Sequence, residues 1–407
     1  MKRFGVPFRW LVGASWATNL GDGVALAAGP LLVASLTDDP FPVALAALLR
    51  WTPPLLFGLH AGVLSDRVDR RRIVLVAHAA RVLVLAGLVA AVVAGVVTVA
   101  LALVALALLA TAEVFADNTT ATLAPMLVAR DDLAAANARL QTGYITMNQL
   151  AGPSLGAALF AAGRVWPLLA QAALVVAGLL MLLRMRLPAT AGPTGRATGG
   201  IRRDMVEGFR WTVAHPAVRT LVLTILTFNV TFGAAWSVLV LWTAQRLGLG
   251  PAGYGALSTV GAAGGLLGTM LYGRLTRHVS LGNIMRAGLL IETFTHLALA
   301  VTRSALVAGV ILFVFGAHAF IWGTTSITVR QRAVPAHLQG RVNSVNTVCV
   351  FGGLVAGSAI GGVLAGRFGV TAPFWFAFAG SAVFVALLWP QLTRIAHADD
   401  AVAAPAG

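Results

Sequence analysis

Residues 62–72 read GVLSDRVDRRR, and the reading of this stretch decides how the whole chain is organised. Six of the eleven side chains are charged, in a chain that is 58% hydrophobic and only 11% charged. The flanks are apolar, LLFGLHA before and IVLVAHAA after. A water-soluble protein scatters charges over its surface. Charges gathered between two apolar runs mark a boundary instead, and the face of a membrane is such a boundary.

Working outward, the 407 residues have a mean hydropathy of +0.85, and apolar runs recur along the whole length. That pattern belongs to an all-α membrane protein. No lone apolar stretch at the N-terminus is followed by polar sequence, so a cleaved leader is not expected. The net charge of +15 would suggest nucleic acid in a soluble protein. Here it sits in short loops between apolar runs, so the expected partner is the lipid bilayer and not nucleic acid. The single cysteine, Cys349, lies in an apolar run, which excludes disulfides and cysteine metal clusters within the chain. No metal or cofactor is expected.

With about 20 apolar residues per crossing, twelve spans are expected, at about 10–36, 42–64, 73–95, 98–124, 140–162, 165–185, 217–243, 252–275, 282–301, 305–328, 343–365 and 371–391. Pro40 and Pro42, and Gly250 with Pro251, mark boundaries. The 29 basic residues then orient the chain. With the N-terminus inside, 23 fall on the cytoplasmic side, Arg164, Arg246, Arg303 and Arg367 fall outside, and Arg50 and Arg81 lie within spans. Cytoplasmic loops retain Lys and Arg, so both termini are expected in the cytoplasm and the opening cluster is a cytoplasmic loop between spans 2 and 3.

The long polar interruption divides the chain. Residues 1–185 form an expected N-terminal six-helix bundle, 186–216 a cytoplasmic linker, 217–392 a C-terminal six-helix bundle, and 393–407 a tail. The linker begins RLPATAGPTGRATGG, flexible by composition, and continues IRRDMVEGFRWTVAH. In the second part Ile201, Met205, Phe209 and Val213 share one helical face, predicting an amphipathic helix on the inner membrane surface. The two halves resemble each other. LAGPSLGAALFAAG at 150–163 matches VAGSAIGGVLAGRF at 355–368, an offset of 205, while Pro40 and Gly62 pair with Pro251 and Gly273 at an offset of 211. Internal similarity at half the chain length predicts two pseudo-symmetric bundles.

The opening stretch resembles the loop motif of the major facilitator superfamily: Gly62, then Asp66 and Arg67, then Arg70 and Arg71. Its second-half counterpart, GRLTRHVS, keeps Gly273 but has Arg277 in place of the acid. More narrowly, TAEVFADNTTATLAPMLV followed by DDLAAANARLQTGYITMNQLAGPSLGA resembles the branch of enterobactin exporters and macrolide-efflux proteins. Gly152, Pro153 and Gly156 match the span-5 motif of antiporters, with Ala157 in place of its last glycine. Span 4 lacks the arginine of many drug–proton antiporters. The resemblance implies the major facilitator fold, a cavity lined by spans 1, 4, 7 and 10, and a cytoplasmic gate. At that gate the 62–71 loop would close on the start of span 11, with Arg341 and Asn343 as candidate partners. Read from the residues alone, Gly62 permits close helix contact, Asp66 is suited to a helix N-terminus, and the arginines hold the loop inside. A loop that only fixes topology is the alternative.

An ionisable group at mid-membrane costs about 2.5–3.5 kcal/mol on insertion scales. Four acids lie well inside spans: Asp22, Glu113, Asp117 and Glu292. Asp22, Glu113 and Asp117 are the proton-coupling candidates, together with Arg50 as the partner of a structural pair with Asp22 or Glu113. Glu292 and Arg81 occupy equivalent positions on the peripheral spans 9 and 3, where structural roles are expected and Arg81 has the length to reach the cytoplasmic face. His60, His78, His296 and His318 show no ligand spacing and read as hydrogen-bonded core residues. Asn19, Asn118, Asn148, Gln149, Asn229, Phe232 and Trp236 are substrate-cavity candidates. Gly261, Gly264, Gly265 and Gly268 read as a packing seam of span 8.

Enzyme activity is not expected. GPSLG at 152–156 satisfies G-x-S-x-G, but inside an apolar helix and not at a strand-to-helix elbow. Lys2 is the only lysine, so a phosphate-binding loop is absent and ATP is not the energy source. The expectation is a monomeric secondary transporter in the cell membrane, driving proton-coupled efflux of an amphipathic organic solute, a drug or siderophore-like metabolite. The alternatives are proton-coupled uptake and a transporter-like sensor or assembly protein.

Overall fold

The computed structural model describes residues 4–185 and 201–395, and every regular element among them is helical. The first half comprises α1 (Val6–Ala34), α2 (Pro40–Arg67), α3 (Arg70–Val93), α4 (Val99–Leu127), α5 (Leu133–Gly143), a π-helical segment (Tyr144–Ala151), α6 (Gly152–Ala162) and α7 (Trp166–Arg184). The second half comprises α8 (Ile201–Ala214), α9 (Pro216–Trp236), α10 (Leu239–Leu247), α11 (Pro251–His278), α12 (Leu281–Val301), α13 (Ala305–Ala333), α14 (Gln339–Phe368) and α15 (Ala372–Ile395). The 186–200 part of the linker and the tail beyond 395 lie outside the described residues.

Ten single helices are long and apolar enough to cross a membrane. The other two expected spans have local causes for their departure. Span 5 is divided among α5, the π-helical segment and α6. The widened turn directly precedes Gly152-Pro153, where proline offers no N–H to the carbonyl of Gln149, and the backbone upstream loosens. Span 8 is α11, 28 residues long but diluted by small residues. Span 7 also breaks, between α9 and α10, where the buried Ser237 Oγ donates back to the Ala234 carbonyl at 3.0 Å. Proline starts α2, α9 and α11, as its missing N–H allows, and Asp39 caps α2 by accepting from the Phe41 N–H at 2.9 Å.

Two compact units are present, one of Met1–Thr198 with Leu249–Thr259, the other of Gly199–Gly248 with Val260–Gly407. The first start of α11 therefore packs with the N-terminal helices: Ser154 of α6 hydrogen-bonds Thr259. In the first unit Phe8, Leu11, Leu123 and Met185 build one core cluster; in the second Leu221, Phe228, Met285 and Val385 build another. Leu83, Leu306 and Leu387 point outward, fully in keeping with a hydrocarbon solvent.

The 205-residue repeat is realised as packing. In the first unit, a β-carbon on Gly156 of α6 would strike the Val24 carbonyl of α1. In the second, one on Gly361 of α14 would strike the Ala234 carbonyl of α9. Equivalent glycines thus bring equivalent helices into backbone contact, the device by which membrane helices gain dispersion energy without a hydrophobic drive. The α11 glycines do the same within the second unit: Gly264 abuts the Phe313 carbonyl and Gly268 the Ala317 carbonyl of α13.

Candidate functional site

The intramembrane charges of the first unit converge from four helices. Arg81 of α3 is 1% exposed and donates through Nη2 to Oδ1 of Asp22 on α1, itself 4% exposed. Nε and Nη1 of Arg81 have no further partner. On the neighbouring helices Arg50 of α2 grips Glu113 of α4 with both arms, Nη1 to Oε2 at 2.6 Å and Nη2 to Oε1 at 2.7 Å. This planar fork is the strongest geometry open to a guanidinium and a carboxylate.

Of the two partners expected for Arg50, Asp22 and Glu113, the one it takes is Glu113. A second expectation is corrected. Arg81, placed on a peripheral span and given a route to the cytoplasm, is instead buried and neutralises Asp22. One turn beyond Glu113, Asp117 is exposed and makes no hydrogen bond or ion pair among the described residues, although Glu113, Asp22, Arg81 and Arg50 are all within its electrostatic reach. Three acids therefore meet two arginines, one negative charge in excess when all are ionised.

Sequence reasoning missed Tyr144. It lies on the π-helical segment, 43% exposed, its hydroxyl accepts from Gln149 Nε2 at 3.1 Å, and it is within electrostatic reach of Arg50, Asp117 and Glu113. Gln149 Nε2 also donates to Oδ1 of the buried Asn148 at 2.8 Å. The signal was available: a cluster of polar residues directly ahead of a Gly-Pro pair, where π-bulges gather at functional positions. Three other cavity candidates share one habit. Asn19, Asn118 and Asn229 each donate their amide to the carbonyl four residues back, on Ser15, Val114 and Ile225, at 2.7, 2.8 and 2.7 Å. Phe232 and Trp236 stack at 4.4 Å in the second unit.

The gate candidates are only partly positioned. Asp66 and Arg67 end α2, and their side chains lie outside the described residues. Asp69 caps α3, accepting from the backbone N–H groups of Arg71 at 2.8 Å and Arg72 at 3.4 Å. Arg70 Nε donates to the Ser65 carbonyl at 3.1 Å and Arg71 Nη2 to the Leu183 carbonyl at 2.8 Å. A β-carbon at Gly62 would meet nothing within 4 Å among the described residues. In the second unit, Arg341 Nη1 donates to Glu207 of α8 at 2.5 Å, and Asn343 Oδ1 accepts from Arg330 at 3.2 Å. The amphipathic helix α8 is thereby docked on α14 through the buried Gly208 and Thr212, with Val206, Phe209 and Val213 exposed.

Two histidine expectations also change. His318 is not isolated: its Nε2 lies 3.6 Å from Oε2 of Glu292. His296 is fully buried, yet neither ring nitrogen has a hydrogen-bond partner.

Membrane-crossing helices built around buried ion pairs, in two units that each contain a matching glycine seam, define a multi-pass membrane transporter. The family described as "Transmembrane secretion effector" matches residues 5–406. The chain belongs to that family of the major facilitator superfamily. Among curated relatives, it is 28% identical over 373 residues to an enterobactin exporter, EntS, of Salmonella typhimurium, covering 89% of this chain and 85% of the relative. It is 27% identical over 385 residues to the multidrug efflux pump Tap of Mycolicibacterium fortuitum, covering 90% and 91%. Among solved structures, the nucleoside transporter NupG superposes with a TM-score of 0.73 at 12% identity, covering 94% of this chain and 99% of that one. An inward-facing bacterial homologue of the iron transporter ferroportin superposes with a TM-score of 0.70 at 17% identity, covering 93% and 98%. These superpositions show the major facilitator fold.

Proposed function

We propose that the protein is a monomeric proton-coupled exporter of an amphipathic organic solute, with both termini in the cytoplasm. The observation that carries this reading is Asp117, an exposed and unpaired carboxylate beside two acids already held by arginine. With one negative charge in excess, the site is neutralised either by one proton or by one cationic group of a solute. The two compete for the same compensation, and mutual exclusion of proton and solute is what exchange requires. Asp22 and Glu113 set the field and Asp117 titrates. Arg50 and Arg81 remain charged throughout, since a guanidinium does not release its proton in proteins. The relatives named as an enterobactin exporter and a multidrug efflux pump support export over uptake.

On this reading the 62–71 segment, with Gly62, Asp66, Arg67, Arg70 and Arg71, acts as the cytoplasmic gate together with Arg341 and Asn343. Gly152, Pro153 and Gly156 hold the π-helical segment against α1. Asn19, Asn118, Asn148, Gln149, Asn229, Phe232 and Trp236, with Tyr144 added, contact the solute.

The test is transport by the full-length protein in inverted vesicles, with tetraphenylphosphonium and ethidium as lipophilic aromatic cations. An acid-inside pH gradient drives their accumulation by the wild type. Asp117→Asn abolishes the gradient-driven uptake while leaving solute exchange. Gradient-driven accumulation by Asp117→Asn at the wild-type rate overturns the assignment. A cysteine in the 65–72 loop is labelled only from the cytoplasm and one beside Asp38 only from outside; the reverse pattern overturns the orientation.

A further inference from the structure

The second unit holds an ionisable cluster that the transport reading above does not use. Glu292 of α12 and His318 of α13 face each other, Oε2 to Nε2 at 3.6 Å, with side chains 13% and 4% exposed. His296 stands one turn beyond Glu292 on the same face of α12, fully buried, with both ring nitrogens unpartnered. Aromatic rings from two further positions close around the histidines. The Trp236 ring meets His296 at 5.9 Å, nearly perpendicular, and Phe315 meets His318 at 5.9 Å. Trp236 in turn packs on Phe232 at 4.4 Å and on Phe315 at 4.6 Å.

The other charged groups packed against these helices lie toward helix ends, and Arg246 of α10 donates to the Ala300, Val301 and Thr302 carbonyls at the close of α12. On α12 the remaining ionisable residue is Arg286, near the helix start, which donates to the Trp389 carbonyl. The ionisable residues of α13 apart from His318 are Arg330 and Arg332, in its last turn. On α9 the only one is Arg219, in the first turns, and α11 carries Tyr272, Arg274, Arg277 and His278 at its end. α15 has none before Arg394.

We infer that Glu292 and His318 form a second proton-binding site, walled by His296, Phe232, Trp236 and Phe315. With His318 neutral, the ionised Glu292 leaves the pair with a net charge of −1 in an apolar surround. One proton taken up between Oε2 of Glu292 and Nε2 of His318 brings the pair to net charge zero, which the low-dielectric interior favours. The Phe315 ring against His318 attracts positive charge on that imidazole further. Phe232 and Trp236 are also the rings assigned to the solute, so proton occupancy and solute stacking share one wall. That last role rests on the proton-coupled reading above; the existence of the site does not.

The experiment is pH-difference infrared spectroscopy of the full-length protein, reconstituted in bilayers without solute, with ring-labelled histidine, between about pH 8 and about pH 5. The wild type shows a labelled imidazole band and a carboxylate band that change together on acidification. His318→Gln removes one imidazole contribution from the labelled band and uncouples the carboxylate change from it. Glu292→Gln loses the carboxylate change and displaces the imidazole titration, whereas Glu292→Asp, which keeps the charge, restores the coupled pattern. Wild-type and His318→Gln spectra that superimpose overturn the proposal. So does a Glu292→Gln spectrum identical to wild type. Asp117→Asn leaves these bands in place, so loss of gradient-driven transport in that variant and loss of the coupled change in the others report on the two readings separately.

Discussion

The two units of this protein share a packing plan and differ in their charges. Gly156 against Val24 and Gly361 against Ala234 are the same contact written twice, 205 residues apart in the glycines. The buried charges have no such correspondence. In the first unit Asp22, Glu113 and Asp117 are set among two arginines. In the second a single Glu292 meets a histidine. Even the residues at equivalent positions, Arg81 and Glu292, have opposite sign and separate partners. Close helix contact tolerates almost no variation, because any side chain at those glycines collides with backbone. Ion pairs tolerate much, provided each buried charge finds a partner. The seam is therefore what the repeat retains, and the charges are where the halves specialise: fixed cations around carboxylates in one, a titratable base beside a carboxylate in the other.

The largest effect expected from breaking this comparison is at Asp22. Asp22→Asn leaves the Arg81 guanidinium buried and uncompensated, and the cost of stranding such a charge is about 3–5 kcal/mol. The variant should give little monodisperse protein in detergent. Asp22→Asn combined with Arg81→Gln should recover most of the yield, measured by size-exclusion chromatography and thermal unfolding. Neutralising Arg50 instead should not rescue it, because Arg50 belongs to Glu113.

Asp117→Asn probes the same cluster without the structural penalty. The side chain is exposed and unpaired, so yield and thermal midpoint should match the wild type while gradient-driven transport falls to background in the vesicle assay. A shared loss of stability and transport would instead place Asp117 with Asp22 as a structural group.

The seams should respond alike. Gly156→Ala and Gly361→Ala each force a methyl into facing backbone, and overpacking of this kind costs about 1–3 kcal/mol. Equal falls in thermal midpoint are expected, and a fall confined to one would break the equivalence of the halves.

The smallest effect is expected at the surface helix. Glu207→Gln removes the ion pair to Arg341, but the two side chains are 46% and 34% exposed, and such pairs contribute at most about 1 kcal/mol. Stability should hardly change, while protease accessibility of α8 reports whether Gly208 and Thr212 alone keep it docked.

The amino-acid sequence determined that the chain is built of long apolar helices. A bilayer demands long apolar helices with internally satisfied backbones, and that demand is written into every run of side chains. It also marked where proline starts a helix, which glycines form the seams, and which acids are costly enough to need a purpose. Only the tertiary structure decided who meets whom. Spacing along a helix fixes the face on which Asp22, Arg50, Arg81 and Glu113 lie, but not which neighbouring helix that face addresses. Two arginines and two acids therefore admitted pairings that sequence reasoning resolved wrongly for Arg81. The same limit hid Tyr144, which gains its place beside Asp117 only once Pro153 has opened the helix into a π-turn, and His318, whose partner arrives from α12. Composition is local to the chain, whereas charge compensation in a membrane is a property of contacts between helices, and those contacts are set by how the helices pack.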